Sequence, residues 1–388
     1  MRIIAYYLPQ FHNIPENDEW WGDGFTEWVN VKAAKPQFPG HDQPRKPLNG
    51  NYYNLLDNDV KRWQVRLAKE YGIYGFCYYH YWFDGRMLLE KPMEQMLADP
   101  SIDLPFCISW ANESWTKSWT GKQSQLLIVQ RYGDEKEWRE HFDYLLRFFK
   151  DDRYIKIDGK PFFVVYRPEI IDCLDDMLEA WDRWAREAGF NGMAFAHQAN
   201  TEEVAPGSGS EVSEYGIEYQ PRIARTRVTD TGSRFGTIKK ARRQLAARIE
   251  SLTGINIMRY GSRTMSKIGG HRQLDWDAVW KAILEMTPIS PKSIPGAFSM
   301  WDNTPRYGAD GEVYVNSSPD KLERYMAQQI VHARDTYHSD LLMFFAWNEW
   351  AEGGYLEPDE TDGHANLSAI QDALKATGEW PVDYSTDL

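Results

Sequence analysis

The feature of this chain that most restricts its fold is a series of eight short apolar runs, each followed by polar loop residues and then a helix-like stretch. The runs are Ile3–Leu8, Gly75–Tyr81, Pro105–Trp110, Phe162–Tyr166, Met193–His197, Ile217–Gln220, Gly296–Trp301 and Leu341–Trp347. Amphipathic segments lie between them at Asp59–Tyr71, Glu135–Lys150, Leu174–Ala188, Asp275–Met286 and Lys321–Tyr337. Alternation of strand and helix builds a parallel sheet. Eight such units close into a single α/β domain, a (β/α)8 TIM barrel. The sixth run is the shortest, and its place rests on count and position.

At 388 residues the chain is long for one domain, yet barrels of roughly 250 to 400 residues around one core are common. No internal repeat, low-complexity tract or Gly/Ser linker divides it, so residues 1–388 read as one catalytic domain. An insertion is expected after the sixth strand, at about 222–285, with a helical pattern around Thr237–Leu252.

Charge is uneven along the chain. Residues 222–272 carry 13 Lys/Arg against Asp230 and Glu250, a net of +11, while the whole chain is −13, which leaves −24 for the rest. The acidic body argues against general nucleic-acid binding. The basic segment suits an anionic glycan, a nucleotide-sugar phosphate or peripheral contact with a membrane surface, and its plainer reading is a solvated helical excursion docked on an acidic body. The start, Met1-Arg2-Ile3-Ile4, lacks the pattern of a signal peptide, and no window reaches 18 apolar residues. Cys77, Cys107 and Cys173 are odd in number and widely spaced, so reduced thiols and a cytoplasmic location are expected.

In barrels, catalytic groups sit at the C-terminal ends of strands. The eighth run empties into Trp347-Asn348-Glu349-Trp350-Ala351-Glu352-Gly353, where two carboxylates stand three residues apart. A helical turn after Trp347 puts both on one side. In one pocket, desolvation and like-charge repulsion separate the proton affinities of two such groups, so that one serves as acid and the other as base. Glu349 and Glu352 are therefore the expected catalytic pair. The third run ends similarly, in Trp110-Ala111-Asn112-Glu113-Ser114-Trp115.

Other strand ends supply aromatic and polar residues suited to the flat faces and hydroxyls of sugars. The first gives Tyr6, Tyr7 and, further on, His12; the second gives Tyr79, His80, Tyr81 and Trp82; later strands give Tyr166, His197 and Trp301. The loop from Trp20 to Trp28 adds Trp21, Glu27 and Trp28. With Trp110, Asn112, Glu113, Trp115, Trp347 and Asn348 these form the expected substrate-binding set. The chain holds 17 Trp and 22 Tyr, for which a Trp-rich core is the competing explanation.

Ala5-Tyr6-Tyr7-Leu8-Pro9-Gln10-Phe11-His12, the loop from Trp20 to Trp28, Trp110-Ala111-Asn112-Glu113 and the Trp347–Gly353 stretch resemble the WbsX-like family over nearly the whole chain. Its members are often labelled glycosyltransferases of lipopolysaccharide O-antigen biosynthesis, and the family is described as glycoside hydrolase family 99-like. Similarity to the family 99 endo-α-mannosidases is more remote and rests on Asn348-Glu349-Trp350-Ala351-Glu352-Gly353. That resemblance implies a metal-independent retaining mechanism. In it Glu349 deprotonates the sugar 2-hydroxyl, which attacks the anomeric carbon, while Glu352 protonates the departing oxygen and later activates water.

The expected activity is retaining hydrolysis of an α-linked, mannose- or rhamnose-like glycan, with an oligo- or polysaccharide as partner and no cofactor. A glycosyltransferase of surface-polysaccharide biosynthesis is the alternative that the family label implies. Against it, no Gly-x-Gly-x-x-Gly follows a strand, and Asp-x-Asp occurs only at Asp57-Asn58-Asp59 and Asp275-Trp276-Asp277, both plausible helix starts. A non-catalytic glycan-binding barrel needs the aromatics but not both glutamates. Nine histidines without a His-x-x-x-His or Cys/His cluster predict no metal site.

Overall fold

The computed structural model describes residues 1–116, 126–200, 213–230, 272–381 and 383–388. Its centre is a parallel barrel of eight strands: β1 (Arg2–Tyr7), β2 (Ile73–Phe83), β3 (Phe106–Trp110), β4 (Lys160–Val165), β5 (Ala194–Ala199), β6 (Tyr215–Glu218), β7 (Ser293–Ile294 and Gly296–Phe298) and β8 (Leu341–Phe345). Each expected run therefore contains a strand, with ends shifted by a few residues at most. Successive strands pair in parallel from β1 to β6, and β8 returns to β1 with Arg2 opposite Leu341. The barrel closes at β7. Pro295 has no N–H to give a ladder and splits that strand, so that its first part pairs with β6 and its second with β8.

Strands of such a barrel are covered on both faces, by helices outside and by side-chain layers within. All eleven residues of β2 are accordingly buried. The helices start where the sequence supplies caps. Asp57 accepts from the Asp59 N–H at the head of helix Asn58–Glu70, Asp134 and Glu137 form a reciprocal capping box on helix Glu135–Phe149, and Ser318 caps helix Pro319–Asp335.

Much of the aromatic excess belongs to the layer between helices and sheet. Trp181 packs on Phe163 of β4, and Trp276 and Trp280 pack on Phe298 of β7. Six tryptophans, Trp110, Trp181, Trp276, Trp280, Trp347 and Trp350, are fully buried. Among the described residues no helix is long and apolar enough to cross a membrane. The helical pattern expected around Thr237–Leu252, with most of the basic segment, lies outside the described residues.

Candidate active site

Strand alternation divides the expected site residues into two sets. On β1 and β2, Tyr6 and Tyr79 point into the barrel and stack on each other, with ring centroids 5.4 Å apart. Tyr166, which follows β4, lies edge-on to Tyr79 at 6.4 Å, and Tyr81 is one inward step beyond Tyr79. Burial pushes the Tyr79 and Tyr81 hydroxyls up, and the charge of Glu349 adds to the effect on each. Burial likewise raises Tyr166, with smaller contributions from Glu113 and Glu352. These rings therefore lie within electrostatic reach of Glu349 or Glu352. Trp115 joins them through an edge contact with Tyr81 at 5.1 Å, and Trp301 packs at 5.5 Å on Phe345 of β8.

The intervening residues face the helices. Tyr7 donates to Gln64 at 2.7 Å, on helix Asn58–Glu70. His80 shares a hydrogen bond of 2.9 Å with His141, and Trp82 stacks on the same imidazole at 4.5 Å. Trp110 sits edge-on to His141 and donates to the Trp82 carbonyl. His197 takes the outward row beside Gly216 of β6. His12 bonds the Pro9 carbonyl, and burial lowers its imidazole to about 4. Trp28 donates to the Tyr53 carbonyl and packs on Phe11 and Trp350, while Trp21 is half-buried against Phe25. The outward placing of Tyr7, His80, Trp82, Trp110 and His197 has one cause, that a strand of period two sends only every other residue to the site, whereas His12, Trp21 and Trp28 lie beyond β1 in a loop and two helices.

Two asparagines serve as staples. The Asn348 amide accepts from Leu8 N at 2.7 Å and donates to Leu8 O at 3.0 Å, tying the end of β8 to that of β1. Asn112 does the same to Arg167, at 2.8 Å for each bond, tying β3 to β4. Trp347 donates to Glu357, a buried carboxylate that also receives Tyr53, Gln64 and Trp350. Burial lifts Glu357 to about 7, and its four donors oppose that rise. This cluster braces the back of the turn that carries the catalytic candidates.

After β8 the chain makes a single 3-10 turn, Trp350–Glu352. Gly353 then adopts φ +67°, and a Cβ there would stand 2.7 Å from Asp302 N, so glycine is required where the two loops meet. Glu349 and Glu352 are brought together as the sequence predicts, but through a residue that it did not single out. Arg306, on the short helix Thr304–Tyr307 after β7, donates to Glu349 at 3.1 Å, to Glu352 in a shorter contact, and to Glu27 at 2.7 Å. The side chains of Arg306, Glu349 and Glu27 are 8%, 6% and 0% exposed, and that of Glu352 is 18% exposed. Burial pushes the Glu349 carboxyl up to about 8; Arg306 opposes this, and Glu352 and Glu27 reinforce it.

Asp302 holds the loop that presents Arg306. It accepts from His41 at 2.8 Å, from Gln43 at 2.6 Å and from both Thr304 donors, and its own N–H bonds the Glu352 carbonyl at 2.8 Å. Those bonds hold the Asp302 carboxyl below its ordinary range against the effect of burial. Both Asp302 and Arg306 follow strand seven, where polar strand-end residues were the available signal. Tyr219, just beyond β6, is a further residue that sequence reasoning passed over. It meets Tyr6 edge-on at 5.6 Å, and burial first, then Tyr166, Glu352 and Glu349, push its hydroxyl up.

Glu113 takes a different position: its side chain is 44% exposed and pairs with Arg167 at 2.6 Å. Among the described residues no group of three or more His, Cys, Asp or Glu side chains is placed to hold a metal ion.

The sequence matches the family described as Glycosyltransferase WbsX over residues 3–370. Two relatives from strains of Xanthomonas campestris pv. campestris, each called uncharacterized protein WxcX, are 36% identical over 376 residues, 96% of this chain and 49% of theirs. The chain thus spans about half the length of these curated relatives. Among solved structures it is similar to the GH99 endo-α-mannosidase of Bacteroides thetaiotaomicron, with TM-scores of 0.51 and, in complex with bis-tris-propane, 0.52. Identity is 12% and 13%, and 97% of each chain is covered in both cases. A protein described as glycoside hydrolase-like superposes with a TM-score of 0.53 at 12% identity, over 96% of this chain and 93% of the other. The last three likenesses concern the fold, which they share as a (β/α)8 barrel, and the match along 3–370 decides the kinship: the chain belongs to the WbsX glycosyltransferase family of carbohydrate-active enzymes.

Proposed function

We propose that the protein is a retaining glycoside hydrolase acting on α-linked, mannose- or rhamnose-like glycans, with Glu349 and Glu352 as its acid–base pair. The observation that carries this reading is the buried cluster of three carboxylates, Glu27, Glu349 and Glu352, around the Arg306 guanidinium. Glycosidic cleavage passes through an oxocarbenium-like state, and carboxylates in excess over their counter-ion favour positive charge developing at the anomeric carbon. A base works best with a proton affinity near the working pH. The carboxyl of Glu349, lifted to about 8, is a far stronger base once ionised than an ordinary glutamate, which suits removal of a proton from the sugar 2-hydroxyl. Glu352, the more exposed of the two, is then the proton donor to the departing oxygen.

The glycosyltransferase description of the family favours a second reading, transfer of a glycosyl unit, which we place in surface-polysaccharide synthesis. One experiment separates the two. The protein is incubated with α-mannosyl and α-rhamnosyl oligosaccharides, with and without nucleotide-sugar donors, and the products are sized. Cleavage without donor is expected. Chain growth that requires the donor would replace the hydrolase reading with the transferase.

A further inference from the structure

Some polar groups inside the barrel have no hydrogen-bond partner among the described residues. Gln198 of β5 is 2% exposed, and among the described residues neither its amide oxygen nor its amide nitrogen has a hydrogen-bond partner. Register gives its direction. His197 lies beside Val165 and Gly216 in the outward row, so Gln198 takes the inward row, next to Ile217 of β6 and level with Tyr166, whose ring faces Tyr79. Ser109 of β3, fully buried, is the register partner of the inward Tyr79, and its hydroxyl is also unpartnered. The Tyr6 hydroxyl, on the ring stacked against Tyr79, is a third such group.

Barrel interiors are ordinarily filled by branched apolar side chains. A buried amide left unpaired costs stability that an apolar residue of the same shape would not. Here the groups lie on the inward rows of three strands, stacked on Tyr79, in register with it, or level with Tyr166. We infer that Gln198, with Ser109 on the inward row of β3 two strands away, forms a hydroxyl-reading subsite in the barrel floor, which selects a fully hydroxylated pyranose unit over its deoxy counterparts. An amide offers both a donor and an acceptor, and a sugar hydroxyl uses both. A site built to pair with a hydroxyl rejects the analogue that lacks it, because its own buried groups then go unpaired.

This inference rests on the glycan reading of the site but not on hydrolysis. Its test therefore measures binding, in a Glu352→Gln background where the sugar is not turned over. Calorimetric titration uses α-mannobiose and its monodeoxy forms, with Gln198 retained or replaced in Gln198→Met. With Gln198 in place, at least one monodeoxy form binds about tenfold or more weakly than the parent, and Gln198→Met removes that difference. The thermal midpoint of Gln198→Met, measured without sugar, stays level or rises by about 1 to 3 °C. Equal binding of all forms with Gln198 present, equal weakening of all forms by the substitution, no binding of any, or a lowered midpoint would each overturn the inference. Donor-dependent chain growth, by contrast, would remove the hydrolase reading and leave this one standing.

Discussion

The ends of β3 and β8 look alike in sequence, Trp-Ala-Asn-Glu at 110–113 and Trp-Asn-Glu at 347–349, and the structure shows which part of the likeness is shared. Both asparagines make the same reciprocal pair of bonds to the backbone at the end of the next strand round the barrel, Asn112 to Arg167 and Asn348 to Leu8. Both glutamates meet an arginine. The surroundings of those pairs differ. Glu113 is 44% exposed, and its cation, Arg167, also serves Glu169 at the rim. Glu349 is 6% exposed and shares a buried guanidinium with two more carboxylates. The repeated motif is thus a device for holding strand ends, and what sets one copy apart is burial and a loop from elsewhere in the chain, the features on which the proposed function rests.

The largest effect that tests this contrast is on turnover. Glu349→Gln and Glu352→Gln are each expected to lower kcat/KM by at least about 100-fold, the scale of positioned acid–base catalysis. Glu113→Gln, which removes a partly exposed pair, should cost less than about tenfold. Steady-state kinetics on an α-mannosyl oligosaccharide measure all three. Equal losses at 113 and 349 would break the comparison, since burial would then not be what separates the two ends.

The fold was legible because its signal is repeated: eight apolar runs, each too short for a buried helix, with amphipathic stretches interspersed among them. The pair Glu349/Glu352 was legible because both residues lie in one continuous motif. Arg306 was not, because what makes it part of the site is a loop whose approach to Glu352 depends on Asp302 and on the glycine at 353, contacts between residues some 50 positions apart in sequence. The outward placing of His80, Trp82, Trp110 and His197 was hidden for another reason. Period two is plain within a strand, but its phase against the barrel axis is set by the helices that cover it, and a run buried on both faces, such as β2, carries no polar alternation to mark that phase.

The second test uses pH. If Glu349 is the base, kcat/KM rises about tenfold per pH unit up to about 8 and then levels. Glu113→Gln retains that limb. A fall through the same range would instead make Glu349 the acid. Stability moves in the opposite sense. The folded protein holds the Glu349 proton up to about 8, whereas an unfolded chain releases it near the ordinary glutamate value of about 4.3. Below the lower value both states are protonated and the difference vanishes; between the two the folded state binds more protons, so stability falls as pH rises. Glu357, lifted to about 7, adds to the same slope over a narrower range. Thermal melts of Glu349→Gln between pH 4.5 and 8.5 should therefore fall less steeply with pH than those of the parent, and Glu113→Gln should follow the parent.

The smallest expected difference is between the two staples. Asn112→Ala and Asn348→Ala each leave a backbone N–H and a carbonyl at a strand end without a partner, which costs about 2 kcal/mol. Because both make the same two bonds, their costs should agree to within about 1 kcal/mol in denaturant unfolding. Activity should separate them slightly. Asn348 immediately precedes Glu349, so loosening it shifts the carboxylate against Arg306, whereas Asn112 positions only the rim pair of Glu113 and Arg167. A loss of kcat/KM about threefold greater for Asn348→Ala, on top of equal destabilisation, would show one structural device used twice with chemistry attached once. Unequal destabilisation would mean instead that the two strand ends are held by different means and that the sequence likeness is fortuitous.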